Sequence, residues 1–337
     1  MLIHDIIGLF SHELAIDLGT SCTRVALRDS DRIVSTPTAV CIETRSGRML
    51  FKGEQMGEAA DGLAGRAPPG IKVVRPVRRG VVADARAAAE LLSTLISRLH
   101  GRRWAVRPTA IAAYPAGASE AERETLLRTL TAAGVRKVYL VDNLTAALAG
   151  AYGAADARCH LIADLGAGKI DFGIMSVSGG GQAGSVSFGG DDLALSLARK
   201  LRDECSIDLT HAEARKLLAQ AGLPDPSDKT AVIDRPGSRD EISPVHIAAA
   251  LRPELEQIRI AIEEILRNTR ASEETADLAP EVVLAGGMVL VPGLAQWISA
   301  ALNLPVRVPP EPQEAVIRGL RALSVRTASL ADWAAEG

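Results

Sequence analysis

Two short segments of this chain combine residue types that can handle phosphate. The first is Ala15-Ile16-Asp17-Leu18-Gly19-Thr20-Ser21, and the second runs from Leu161 through Asp164-Leu165-Gly166-Ala167-Gly168-Lys169-Ile170 to Asp171. In each, an aspartate closes an apolar strand and a glycine turn follows. A glycine turn bares backbone N–H groups that can cradle phosphate oxygens. An aspartate at the strand end can hold a hydrated Mg2+ beside that phosphate. Apolar residues resume at once after each turn, over 24–27 and 171–177, so each segment reads as strand–turn–strand. One such segment alone reads as a tight hairpin with glycine serving the turn. Two copies, about 150 residues or one domain length apart, point to a pair of hairpins facing each other around one nucleotide. Neither G-x-x-x-x-G-K-[ST] nor a helix-opening G-x-G-x-x-G occurs, so P-loop and Rossmann chemistry are not indicated.

The elements that must position these loops follow from composition and periodicity. A chain of 337 residues suggests two domains. A hydrophobic fraction of 47% with 23% charged residues fits a soluble globular protein. A net charge of −3 gives no nucleic-acid footprint. Four cysteines without C-x-x-C spacing fit a reducing cytosol and no zinc site. No apolar run reaches the ~20 residues of a membrane span, and the N-terminus lacks signal-peptide features. In residues 1–10, Ile3, Ile6, Ile7 and Phe10 fall on one helical face, widened by Leu2 and Leu9. That face suits either a membrane interface or packing against the body of the protein.

Strands are expected at 14–16, 24–27 and 38–42 as a meander. Irregular structure should follow over 62–80, with its Pro69-Gly70 and its Pro76 before Gly80. A helix should run from a cap at Asp84 to about 99, a strand over 110–114, a helix from Ser119 to 133 and a strand over 137–141. A short helical stretch, 144–152, leads into the second loop. The second half repeats the order: hairpin, helices from Asp191, His211 and Ser243, the last to about 269, strand 281–284, glycines, helix. Residues 224–239, with three prolines, read as a loop. Strands alternating with helices predict two α/β domains.

Taken together these landmarks resemble the actin-like ATPase superfamily, and within it the bacterial MreB family. The likeness spans residues 1 to about 325. Beyond the two hairpins it includes 71–84, 118–134, Gly189-Gly190-Asp191, Glu281-Val-Val-Leu-Ala-Gly-Gly-Met288 with Pro292-Gly293-Leu294, and 304–319. The resemblance implies an actin-like two-lobed α/β fold of paired RNase H-like domains, each with a smaller subdomain. The first large subdomain would comprise 1–32, 75–145 and 311–330, with 33–74 as its small partner. The second would comprise 146–188 and 243–310, with 189–242. It implies ATP and Mg2+ between the lobes. Asp17, Gly19, Thr20 and Ser21 match the first phosphate loop, and Asp164, Gly166, Ala167, Gly168 and Lys169 the second. Asp17 and Asp164 would hold the metal through water. Gly189, Gly190, Gly286, Gly287 and Met288 match the adenosine and α-phosphate side, with Glu213 and Lys216 in the helix lining it.

The resemblance further implies self-assembly into filaments on the cytoplasmic face of the inner membrane, with cell-shape or wall-synthesis proteins as partners. Co-polymerisation with a paralogue stays open. In relatives an amphipathic N-terminal helix anchors the filament, which assigns Leu2, Ile3, Ile6, Ile7 and Phe10 to the membrane. Four departures surround the nucleotide. The water-positioning glutamate of the family is Asn143 here, and an amide can hydrogen-bond water but cannot take its proton. Its neighbour Asp142, on a strand, should point to the other side. Two threonines of the second loop are Lys169 and Ile170. Lys169 could neutralise γ-phosphate charge or point into solvent. Asp208-Leu209 replaces a glycine–glutamate pair, and Cys22 and Arg24 replace small polar residues. Slow or degenerate ATP hydrolysis is therefore expected. The competing readings are a non-catalytic actin-like adaptor of the pilus or division type, and a small-molecule kinase of the same superfold. No carboxylate base for the kinase can be placed.

Overall fold

The computed structural model describes residues 13–50, 56–100, 107–156, 158–223, 229–235, 238–269 and 281–324. The expected amphipathic segment 1–10 and the tail 327–337 lie outside them. The chain divides into two units, Met1–Asp156 with Val316–Gly337, and Ala157–Ala315.

In chain order the first unit holds β1 (Glu13–Leu18), β2 (Cys22–Leu27), β3 (Ile33–Pro37), β4 (Val40–Glu43), α1 (Glu58–Asp61), β5 (Ile71–Val74), β6 (Val77–Arg78), β7 (Val81–Val82), α2 (Ala85–His100), β8 (Thr109–Tyr114), α3 (Glu120–Ala132), β9 (Lys137–Asp142) and α4 (Asn143–Tyr152). Its main sheet has the order β3-β2-β1-β8-β9. The first three strands are an antiparallel meander, and β8 and β9 add in parallel. Leu14 and Ile16 of β1 point into a core with Val25, Leu91, Leu92, Leu95 and Leu130. Ala15 between them is equally buried on the other face, as expected for a strand covered on both sides.

The meander closes differently from the expected one. Its third strand is β3, whereas β4 leaves the sheet to pair with β5 in a separate ribbon. Pro37 ends β3 because it has no N–H to extend a ladder. A small satellite core of Ala39, Cys41 and Ala60, with Ile71 and Val73, supports this ribbon. The stretch read as irregular also holds the β6–β7 hairpin, whose turn residues Arg79 and Gly80 both have positive φ. That pair of dihedrals matches the twist of a two-residue hairpin.

The second unit holds β10 (His160–Leu165), β11 (Ile170–Met175), β12 (Gly181–Val186), α5 (Gly190–Cys205), α6 (His211–Ala221), β13 (Ala231–Arg235), β14 (Ser238–Ile242), α7 (Pro244–Thr269), β15 (Val282–Ala285), a 3₁₀ turn (Gly287–Leu290), α8 (Leu294–Leu302), β16 (Val306–Arg307) and a second 3₁₀ turn (Pro312–Glu314). Its sheet, β12-β11-β10-β15-β16, repeats the first. Again three strands form an antiparallel meander and two follow in parallel. Leu161, Ala163 and Leu165 of β10 meet Leu193, Leu197, Leu251 and Leu284 in one core.

The expected loop 224–239 contains most of a β-hairpin, β13–β14. The prolines hid a short strand, Ala-Val-Ile, in which Ala231 and Ile233 pack on the core. The final helix, α9 (Ala315–Ser324), carries the chain from the second unit into the first. There Gly319 sits so close to α4 that an added Cβ would lie 1.6 Å from the Ala146 carbonyl oxygen.

Candidate functional site

The two glycine hairpins close by the same construction. Gly19 N–H donates to the Cys22 carbonyl at 3.1 Å, and Gly166 N–H to the Lys169 carbonyl at 3.0 Å. A Cβ on either glycine would approach the same carbonyl to 2.8 or 2.7 Å, closer than real side chains come. The turn therefore demands glycine at both positions for its own closure. Thr20 and Ser21 crest the first turn, Ala167 and Gly168 the second.

Each hairpin is tied down from outside. Thr38 donates its hydroxyl to the Gly19 carbonyl at 2.7 Å and shares a 2.8 Å hydrogen bond with Thr23. Thr20 Oγ1 accepts from Gly80 N–H at 2.9 Å, so the β6–β7 turn braces the first loop. In the second unit, α5 begins against the loop: Gly190 N–H donates to Gly166 O at 3.0 Å and Asp191 N–H to Ala167 O at 2.8 Å. A Cβ on Gly189 would meet Ala167 O at 2.5 Å.

Gly286, with φ near +92°, leaves room for the carboxylate of Asp164; a Cβ there would fall 2.6 Å from its Oδ1. Next to it, an added Cβ on Gly287 would meet nothing nearer than Gln313 Cβ at 4.0 Å. Met288 lies against Gly190 at 3.4 Å from the same construction. So the second unit gathers Asp164, Gly166, Ala167, Gly189, Gly190, Gly286 and Met288 at one place. Gln313, which sequence reasoning missed, adds a buried amide oxygen with no hydrogen-bond partner near Gly287. That open glycine face and spare acceptor fit a ligand bearing hydroxyl or amino donors, as a nucleoside does.

Asp17 and Arg24 face each other in hairpin register, Nη1 to Oδ2 at 3.3 Å. Burial pushes the Asp17 carboxyl up, and the Arg24 charge and hydrogen bond pull it part of the way back. A donor set for a divalent cation calls for carboxylate oxygens free to face the ion or its water. With a guanidinium on Asp17 the residues present do not fit a metal ion at that carboxylate. Among the described residues no group of three or more His, Cys, Asp or Glu is placed to hold one. In the second hairpin Lys169 is only 11% exposed, and its Nζ lies 3.6 Å from Asp171 Oδ1. Asp171, which Ser185 also hydrogen-bonds, stands opposite Asp164 in the ladder.

Asn143 is buried at the start of α4, and its Oδ1 accepts from Ala116 N–H at 3.0 Å. Asp142 turns the other way and caps α4, accepting from Thr145 N–H at 2.8 Å. Burial holds the Asp142 carboxyl above its usual range against the hydrogen bonds from Thr145. Glu213 completes a capping box with Thr210, and Lys216 is exposed. The basic groups of α6 that reach towards the start of α5 are instead His211 and Arg215, 3.6 and 3.8 Å from Asp191 Oδ1.

Two units with the same five-stranded topology, each with an Asp-x-Gly hairpin at the centre of its sheet, define an actin-like fold. The family described as MreB/Mbl protein matches residues 11–331, and the chain belongs to that family. It is 27% identical over 332 residues to the cell shape-determining protein MreB of Pasteurella multocida (strain Pm70), covering 95% of this chain and 94% of that protein. Among solved structures, MreB5 of Spiroplasma citri bound to ADP aligns with a TM-score of 0.84 at 22% identity, over 96% of this chain and 98% of that one. A MamK double helical filament aligns with a TM-score of 0.78 at 19% identity, over 94% and 99%.

Proposed function

We propose that this chain is an MreB-type cytoskeletal protein that binds adenine nucleotide through both glycine hairpins and assembles into filaments. The observation that carries the reading is the matched closure of the two hairpins, each braced by outside elements. A solved structure of the same fold is bound to ADP and another to AMPPNP, and a third is a filament. Gly19, Thr20 and Ser21 in one unit and Gly166, Ala167, Gly168 and Lys169 in the other contact phosphate. Gly189, Gly190, Gly286, Gly287 and Met288 contact the nucleoside, with Glu213 and Lys216 on the helix beside it.

Hydrolysis is slow in this reading. Asn143 can hydrogen-bond water but cannot take its proton, and its oxygen already accepts from Ala116 N–H. Loss of a positioned general base costs about 10²–10⁴-fold in rate. The filament works on the cytoplasmic face of the inner membrane, organising cell shape or wall synthesis; the name of a relative, cell shape-determining protein MreB, supports the cell-shape part. Leu2, Ile3, Ile6, Ile7 and Phe10 anchor it. Among the described residues no helix is long and apolar enough to cross a membrane, so attachment in this reading is peripheral.

Purified full-length protein, mixed with anionic liposomes and ATP, tests these points together. The expected result is ATP binding with phosphate release far below that of an MreB carrying the family's glutamate. Removal of residues 1–10 should abolish liposome co-flotation. Fast turnover would remove the slow-hydrolysis reading. Absence of ATP binding would leave the non-catalytic adaptor.

A further inference from the structure

Asp17 occupies the position where the resemblance calls for a metal ligand, and the fold supplies it with a different cation. Arg24 sits opposite it across β1–β2, with Nη1 3.3 Å from Oδ2. Both side chains are largely withdrawn from water, 15% and 18% exposed. The strand neighbours of Arg24, Thr23 and Val25, are fully buried, so the backbone that carries the guanidinium is locked in the sheet. Arg24 Nε is buried without a hydrogen-bond partner. A cation kept inside at the expense of an unsatisfied donor is held for its charge.

The second hairpin has a cation of its own. Lys169 Nζ lies 3.6 Å from Asp171, whose side chain is 4% exposed.

We propose that Arg24 is the resident counter-ion of Asp17 and takes the place of a divalent cation on that hairpin, so that this chain binds nucleotide with little need for Mg2+. The inference rests on the nucleotide reading above and adds its metal dependence. Arg24 neutralises Asp17 and presents positive charge from the hairpin to the incoming phosphate. On the second hairpin Lys169 is paired with Asp171 instead.

The test is binding of a fluorescent, non-hydrolysable ATP analogue to the full-length protein, in Mg2+ and in excess EDTA. Wild type, Arg24→Gln and Arg24→Lys are compared, and thermal melts confirm that each variant folds. The expected result is a Kd that changes less than about threefold on chelation in wild type and in Arg24→Lys, while Arg24→Gln loses about tenfold or more in EDTA and recovers in Mg2+. A wild-type Kd that weakens tenfold or more in EDTA, roughly the scale of a lost charge contact, overturns the inference and leaves the nucleotide reading intact. Equal metal dependence in wild type and Arg24→Gln also overturns it. No analogue binding by wild type in either buffer overturns both. The wild-type comparison stands even if Arg24→Gln fails to fold.

Discussion

Asp142 and Asn143 are adjacent and do different work. The carboxylate of Asp142 caps α4, while the amide of Asn143 ties the end of β8 to the same helix. Burial raises the Asp142 carboxyl above its usual range, so the native state holds that proton more tightly than the unfolded chain does. This group's contribution to stability is therefore present below the unfolded value and is lost as pH rises through the native one. Asp142→Ala should cost about 0.5–2 kcal/mol through loss of the cap. Asp142→Asn keeps the acceptor without the buried charge and should be close to neutral at pH 7, with a steeper acid limb because the stability gained on protonating Asp142 is lost. Urea titrations across pH separate the two. A destabilised Asp142→Asn would mean that the charge itself matters there. At this scale the sequence indicated which residues belong to the loops but not what they touch. The Asp17–Arg24 pair was nonetheless legible in principle, because any hairpin centred on Thr20 and Ser21 must set those two opposite each other. Gln313 carried no local signal, since its partnerless amide oxygen arises only from tertiary packing.

At the level of elements, helix boundaries were readable because their chemistry is local. Asp84 accepts from Ala87 N–H at 2.9 Å, and Ser119 and Glu122 form a capping box. Strands were less readable where tertiary pairing decides. The residues of β4 were assigned to the main sheet, and β13–β14 was taken for loop because prolines flank it. Two substitutions test element-level packing. Gly319→Ala should destabilise by about 1–3 kcal/mol or more, because its Cβ meets the α4 backbone with no side chain able to yield. Pro253 lies inside α7, a helix of 26 residues, where it removes a hydrogen bond. Pro253→Ala should raise stability by about 1–3 kcal/mol. Thermal melts read both; an unchanged Gly319→Ala would mean that α9 does not pack on α4 as closely as described, and an unchanged Pro253→Ala that the missing hydrogen bond is already compensated.

At the scale of the whole molecule, the repeat of hairpin and helices in the sequence corresponds to a repeat of sheet topology. The second copy is offset by about one domain and keeps the same order of antiparallel and parallel strands. That duplication was legible because both copies retain the Asp-x-Gly turn. In the division of the chain, α4 stays with the first unit, and the last helix lies in that unit from Val316 on. The central claim is that these two units make a nucleotide-dependent, filament-forming member of the MreB/Mbl family. Its most direct test is high-speed sedimentation of the full-length protein with and without ATP, with the pellets imaged by negative stain. The account expects polymer in the pellet with nucleotide, seen as regular protofilaments, and soluble protein without it. Protein that stays in the supernatant under every condition, while properly folded, would contradict it.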